Sequence, residues 1–154
     1  MTEIDDADIS DLILRHAPVK GALLPLLHDI QHRLGYVPQA AVPRIAEGLN
    51  LSIADVHGVV TFYADFILER PARRRIQLCM AEACQARGVA DTCAKLEAAS
   101  GLKIGETRAD LSLSLEPIYC LGLCATGPAA LVDGEPQARL NGQRLDALIG
   151  EVVR

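Results

Sequence analysis

The sequence has few aromatic residues and little basic charge. It contains no tryptophan, three tyrosines and two phenylalanines among 154 residues, and its net charge is −5. The longest basic run is Arg73–Arg75. Nucleic-acid binding usually depends on a basic face and on rings that stack against bases. We therefore expect no nucleic-acid partner.

A membrane span and a secretory leader are also missing from the pattern. No apolar run approaches the roughly 20 residues that cross a bilayer. The first residues are acidic and lack the basic start and apolar stretch of a signal peptide. We expect a cytoplasmic protein with no membrane span. In a reducing compartment, five cysteines, which is an odd number, favour metal ligation over a disulfide framework.

Residues 1–70 have the apolar spacing of a small helical bundle. Four residues at helical spacing predict an amphipathic helix that ends at Gly35: Leu23, Leu27, Ile30 and Leu34. A further helical segment covers residues 39–49. Ser52 and Asp55 predict a capping box that opens a helix over residues 53–62.

The pattern changes after residues 71–75, which we interpret as a solvated linker. Residues 75–79 predict a strand, 84–99 a helix, and the alternating leucines of 111–115 a second strand. Residues 129–140 predict a hairpin around Asp133-Gly134, and the chain closes with an amphipathic helix. Residues 76–154 are thus expected to form an α/β layer domain, which makes the whole chain α+β.

Four of the five cysteines fall into two closely spaced pairs: Cys79-x4-Cys84 and Cys120-x3-Cys124. Each pair follows the end of a predicted strand, so both could meet at one edge of the sheet. Thiolates select soft metals, which leaves zinc and iron–sulfur centres open. The longer loops, with Gly122 and Gly127 allowing amides to approach sulfur, favour a two-iron cluster.

The remaining cysteine and the histidines have simpler interpretations. Cys93 lies on the apolar face of its predicted helix, where a free cysteine packs as a small hydrophobe. His28 and His32 have the i, i+4 spacing of a zinc pair. The apolar stripe of the same helix instead favours ordinary core packing. His57 is expected to pack or to contact a partner.

The cysteine spacing resembles that of the thioredoxin-like [2Fe-2S] ferredoxin family. That family includes small subunits of respiratory complex I, of NAD-linked hydrogenases and of formate dehydrogenases. GYVP (residues 35–38) and VHGVVTFYADF (residues 56–66) are similar to its N-terminal helical bundle. The resemblance implies a thioredoxin-like fold over residues 76–154. It also implies that one [2Fe-2S] cluster has as its ligands Cys79, Cys84, Cys120 and Cys124.

Further strings resemble one branch of the family most closely. GALLPLLHDIQHRLGYVP, AEACQARG and YCLGLCATGPAAL are similar to the cytoplasmic, molybdenum-containing NAD-dependent formate dehydrogenase branch. This implies an electron-transfer subunit beside an FMN- and NAD-binding subunit and a catalytic subunit with a molybdenum cofactor. The chain has no glycine-rich nucleotide motif or nucleophile arrangement, so it is expected to have no catalytic site of its own.

Two alternatives remain open at this point. The equivalent subunit of complex I or of an NAD-linked hydrogenase would use the same cysteines. A zinc-stapled interaction module without a redox role is the alternative of a different class, because small domains often need a metal staple. In every case residues 1–70 need a purpose besides ligation. We expect them to dock a partner through Phe62, Tyr63 and Phe66, since aromatics are enriched at interface cores.

Overall fold

The structure is a computed structural model that describes residues 6–153. The chain divides into two compact units, one ending at Pro71 and the other beginning at Ala72. The predicted bundle and α/β domain also include residues 1–5 and Arg154, which lie outside the described residues. Within residues 6–153, no helix combines the length and apolar character needed to cross a bilayer.

The first unit is a bundle of four α-helices. They are α1 (Asp6–His16), α2 (Leu23–Leu34), α3 (Val42–Gly48) and α4 (Ile53–Phe62), with a 3-10 turn at Gln39–Ala41 before α3. Their apolar faces form one core, whose fully buried members include Ile9, Leu26, Leu27, Ile30, Ile45, Val56 and Val60.

Both predicted helix boundaries of this unit are confirmed. Gly35 follows α2 with a φ of 84°, the left-handed conformation that glycine adopts without strain. At the start of α4, the Asp55 amide donates to Ser52 Oγ at 3.0 Å, and the Ser52 amide donates to Asp55 Oδ2 at 3.2 Å. These reciprocal bonds satisfy helix amides that would otherwise have no acceptor.

The second unit is a five-stranded mixed sheet with helices. Its strands are β1 (Arg74–Cys79), β2 (Glu106–Thr107), β3 (Leu113–Ile118), β4 (Ala129–Val132) and β5 (Glu135–Ala138), in the order β2-β3-β1-β4-β5. Helices α5 (Glu82–Ala86), α6 (Val89–Ser100) and α7 (Gly142–Val152) contribute to its core. The predicted α+β fold class is confirmed.

Strand β1 is central because it pairs in parallel with β3 on one side and antiparallel with β4 on the other. In the parallel register, Cys79 at the end of β1 lies opposite Ile118 at the end of β3. Strands β4 and β5 form the predicted hairpin. Asp133 and Gly134 have φ values of 52° and 87°, as a type I′ turn requires.

The predicted linker over residues 71–75 is wrong for Arg74 and Arg75, which begin β1. The neighbouring strands and hairpin turn place carboxylates beside both arginines. Arg74 Nε lies 2.7 Å from Asp133 Oδ2, and Arg75 Nη2 lies 2.7 Å from Glu116 Oε2. Local sequence could not show these partners, because they come from distant strands.

Three further boundaries differ from the predictions. The helix expected over residues 84–99 is two helices, broken at Gly88, whose φ of 84° is incompatible with a continuous helix. The strand expected over 111–115 runs from Leu113 to Ile118, because Leu111 has a φ of 55°. The short strand β2 was not predicted, since two residues carry no detectable alternation.

Candidate metal centre

The first pair of cysteines straddles the junction between β1 and α5. Cys79 is the last residue of β1, and Cys84 lies within α5. Both are 2% exposed. The amide of Met80 donates to the Ile118 carbonyl at 2.8 Å, which keeps this junction attached to the end of β3.

The second pair lies in the loop between β3 and β4. Cys120 has a φ of 69° and Gly122 a φ of 73°, so the chain turns sharply twice within three residues. Cys124 then begins a 3-10 turn (Cys124–Thr126) in which the Thr126 amide donates to the Leu123 carbonyl at 2.9 Å. Unlike the first pair, Cys120 and Cys124 are exposed.

The parallel pairing of β1 and β3 brings both loops to one edge of the sheet. The Cys79 sulfur accepts hydrogen bonds from the backbone of Cys120 and Leu121, in the second loop, as well as from Ala81. Cys79 also contacts the side chain of Cys84, and charge on Cys124 acts on Cys84. The four thiols predicted from spacing therefore lie around one site, with two buried and two facing solvent.

Backbone amides make this site favourable for negative charge on sulfur. Burial raises the pKa of Cys79, but hydrogen bonds from Ala81 and Leu121, the Cys84 side chain and the Cys120 backbone together hold the pKa below its ordinary value. Amide donors of this kind stabilise thiolates and tune the metal centres that thiolates hold.

Cys84 has the opposite tendency. Burial, the hydrogen bond with Cys79 and the Cys79 charge raise the pKa of Cys84, against the lowering effect of the Ala129 amide. Two adjacent thiols thus share one proton more readily than they lose both, since two bare thiolates repel each other. A metal that displaces both protons removes this conflict.

The glycines of the second loop differ from their predicted roles. A Cβ on Gly127 would lie 3.2 Å from Cys84 Sγ, so glycine is required there for close approach, as predicted. Gly122 has open space around its Cβ position, and its positive φ is what requires glycine. The amides that approach sulfur come from Ala81, Cys120, Leu121 and Ala129, not from the two glycines.

Among residues 6–153, no three His, Cys, Asp or Glu side chains converge closely enough to hold a single metal ion. His28 instead packs its ring against Phe66, with centroids 4.9 Å apart. Cys93 is 9% exposed within the core of the second unit, beside Val89 and Leu96 on α6. The prediction that Cys93 packs as a hydrophobe is confirmed by this burial.

The three aromatic residues expected to dock a partner are not equivalent. Phe66 is buried at 7% exposure in the core of the helical unit, so its predicted place on a docking surface is wrong. Phe62 and Tyr63 are 80% and 43% exposed, with their rings 5.1 Å apart in an edge-to-face contact. Phe66 turns inward because the chain leaves α4 at Tyr63 and folds back over α2, where the Ile67 amide donates to Gln31 Oε1 at 2.8 Å.

Comparison with known proteins agrees with this geometry. The profile of the thioredoxin-like [2Fe-2S] ferredoxin family matches residues 9–153. One relative belongs to the NADH-quinone oxidoreductase of Aquifex aeolicus. This oxidoreductase component is 35% identical over 114 residues, which are 74% of the present chain and 71% of the relative.

Two further relatives belong to hydrogenases. NAD-reducing hydrogenase HoxS subunit alpha of Cupriavidus necator is 30% identical over 148 residues, covering 96% of this chain and 24% of that subunit. A crystal structure of NAD+-reducing [NiFe]-hydrogenase in the H2-reduced state superposes with a TM-score of 0.73 at 32% identity. The match covers 90% of this chain and 22% of the hydrogenase chain. The fold thus also occurs as one part of much longer chains.

Proposed function

The chain belongs to the thioredoxin-like [2Fe-2S] ferredoxin family, and on that premise we propose that it carries one [2Fe-2S] cluster and transfers single electrons. The proposed ligands are Cys79, Cys84, Cys120 and Cys124. The observation that carries this assignment is the bonding of the Cys79 sulfur to the backbone of the loop that holds the other pair. Two separate loops are thereby held around one site.

The donor set fits a two-iron cluster. Four cysteine thiolates in two pairs are the usual ligands of [2Fe-2S] centres. Such a cluster, when bound, would accept and release one electron at a time without a change of ligands. The chain's own contribution is to bury Cys79 and Cys84, to leave Cys120 and Cys124 open to a partner, and to direct amides at sulfur.

The partner we propose is a flavin- and NAD-binding subunit. A flavin exchanges two electrons with a nicotinamide and single electrons with an iron–sulfur centre, so the two groups complement each other. The similarity to an NADH-quinone oxidoreductase component and to NAD-reducing hydrogenases supports a complex linked to NAD. FMN, NAD and any substrate would be bound by other chains.

We propose further that the complex is a cytoplasmic, molybdenum-containing formate dehydrogenase. The support is the similarity of the strings around Cys84 and Cys120 to that branch, with the molybdenum cofactor in a third subunit. Co-expression with its partner subunits should give a complex that reduces NAD with formate, and formate should reduce the [2Fe-2S] signal of this chain. The isolated chain should show no formate:NAD activity.

A second candidate follows from the relatives themselves. The same subunit could serve complex I or an NAD-linked hydrogenase, which the matched proteins favour. A co-expressed complex that oxidises NADH with quinone, or that reduces NAD with hydrogen, would replace the formate assignment. The cluster and its ligands would be unaffected by that outcome.

The competing zinc staple is tested on the isolated chain. Protein purified without air should contain two irons and two acid-labile sulfides per chain and absorb in the visible range, as a [2Fe-2S] centre does. One zinc per chain with no sulfide, in colourless protein, would show that the site is structural.

A further inference from the structure

A single side chain bridges the two loops that carry the cysteine pairs. Arg87, which follows α5 directly, donates from Nε to the carbonyl oxygen of Gly127 at 3.1 Å. Arg87 lies three residues beyond Cys84, and Gly127 lies three residues beyond Cys124. The bond therefore joins equivalent points just after the second cysteine of each pair.

The same arginine lies close to a ligand sulfur. The Cβ position of Gly127 is 3.2 Å from Cys84 Sγ, 3.4 Å from Arg87 Cδ and 3.7 Å from Arg87 Nε. The sulfur and the guanidinium thus both pack against Gly127. The absence of a side chain at Gly127 is what lets them approach each other.

The charge of Arg87 has no local counter-ion. Within residues 6–153, no carboxylate lies within ion-pair distance of Arg87. Its guanidinium faces an open cavity of about 490 Å³, which is also lined by Asp91, Lys95 and Pro128. A fixed positive charge is consequently held beside the cysteine site and is only screened by solvent.

We propose that Arg87 is a positioning residue that ties the two ligand loops together and raises the reduction potential of the cluster. This rests on the proposed function. Reduction adds one electron and one negative charge, and a nearby cation stabilises that charge. A unit charge acting over about 10 Å at an effective dielectric constant of about 20 changes a one-electron equilibrium roughly tenfold.

The test is a redox titration of the isolated protein, with dithionite as reductant and the electron paramagnetic resonance signal as readout. Arg87→Gln removes the charge and is expected to make reduction about tenfold less favourable, a shift of about 59 mV to lower potential. Arg87→Glu reverses the charge and should shift the potential further. Arg87→Lys keeps the charge and should stay near the wild type.

The matched control is Arg108→Gln. Arg108 also donates to a backbone carbonyl, that of Ser100 at 3.0 Å, but it precedes β3 and so lies at the opposite end of that strand from Cys120. This variant loses the same charge and the same kind of bond. It should keep the wild-type potential.

The outcomes separate the two levels of proposal. A wild-type chain without a [2Fe-2S] signal overturns the proposed function itself. A normal signal with an unchanged potential in Arg87→Gln and Arg87→Glu overturns only the role of Arg87, as does a Lys variant shifted as far as the Gln variant. If Arg87→Gln fails to load the cluster, restored loading in Arg87→Lys supports the bridge between loops, and failure in both variants overturns it.

Discussion

Cys93 and Cys120 are the clearest contrast among the five thiols. Cys93 packs among apolar side chains on α6, whereas Cys120 is exposed in the loop whose backbone bonds Cys79. Cys93→Ala should keep the visible and electron paramagnetic resonance spectra and cost about 1 kcal/mol of unfolding free energy, because it removes one buried sulfur. Cys120→Ala should lose the cluster.

Iron content and spectra of the two variants, purified without air, decide this prediction. A Cys93→Ala protein that lacks iron would show that the ligand set is wrongly assigned. Retention of the full spectrum by Cys120→Ala would show the same from the other side. Urea unfolding of Cys93→Ala separates loss of the cluster from loss of stability.

Glu116 should make the stability of the protein dependent on acid pH. Burial raises the pKa of this carboxyl, but hydrogen bonds from Arg75, Ser114 and Gln77 hold the pKa below its ordinary value of 4.5. Because the folded pKa is lowered, the stabilisation is complete above about pH 4.5 and is lost as pH falls through the folded pKa.

Glu116→Gln is the corresponding test. At pH 7 the variant should be less stable by about 1–2 kcal/mol, since it loses hydrogen bonds to a charged group. The difference from wild type should shrink below about pH 4.5, where the wild-type carboxylate also becomes neutral. Parallel urea unfolding of both proteins between about pH 7 and 3.5 measures it. A constant difference over that range would contradict the assigned cause.

At this scale the spacing of the cysteines was sufficient to predict that both pairs meet at one edge. It was not sufficient to identify the amides of Leu121 and Ala129 as sulfur donors, since backbone direction in a loop depends on its dihedral angles. The bridge from Arg87 was missed for a similar reason. Its acceptor is a carbonyl 40 residues away, and a carbonyl has no sequence identity.

Among the elements, α4 depends most on its first turn. Ser52 and Asp55 form both bonds of a capping box, while α4 exposes Ile53 and Phe62 and so buries little of its surface. Ser52→Ala should destabilise the protein by about 1 kcal/mol, as loss of an N-cap usually does. Thermal unfolding followed by circular dichroism measures the change.

The matched control is Ser52→Thr, which keeps a hydroxyl oxygen at the position that accepts from the Asp55 amide. Threonine is also a favoured N-cap residue, so this variant should unfold close to the wild-type temperature. Equal losses in the Ala and Thr variants would indicate that any substitution at this position is destabilising. The capping bond would then not be what stabilises α4.

The helices of the first unit were predictable because each combines an apolar period with a start or stop signal, such as Ser52 or Gly35. The second unit was predictable in its order but not in its boundaries. Its strands are short, and their ends are set by partners across the sheet, as at Arg75 and Glu116. The interruption at Gly88 falls within a continuous helical pattern, so only tertiary structure reveals it.

For the molecule as a whole, we predict that α4 provides the docking surface of the helical unit. Phe62 is 80% exposed at its end, next to Tyr63, and exposed aromatic pairs are typical of interface cores. Phe62→Ser should weaken association with the flavin-binding subunit by at least about tenfold, as loss of an interface anchor does, without altering the [2Fe-2S] spectrum. Size-exclusion chromatography and titration of the two purified subunits measure this.

Leu14→Ser is the control for that experiment. Leu14 is 73% exposed on α1, so the substitution removes a similar apolar group from another helix of the same unit. It should leave association unchanged. Association that survives Phe62→Ser, or that falls equally in both variants, would place the docking surface elsewhere.

The parallel pairing of β1 with β3 also governs when the site can exist during protein synthesis. Cys79 and Cys84 leave the ribosome long before Leu113–Ile118, the strand that pairs with β1 and positions the second loop. Until that strand pairs, a nascent chain offers only half of the ligands. Delivery of iron and sulfide must therefore follow translation of the second unit, and a chain truncated before Cys120 would be released without the capacity to be loaded at all.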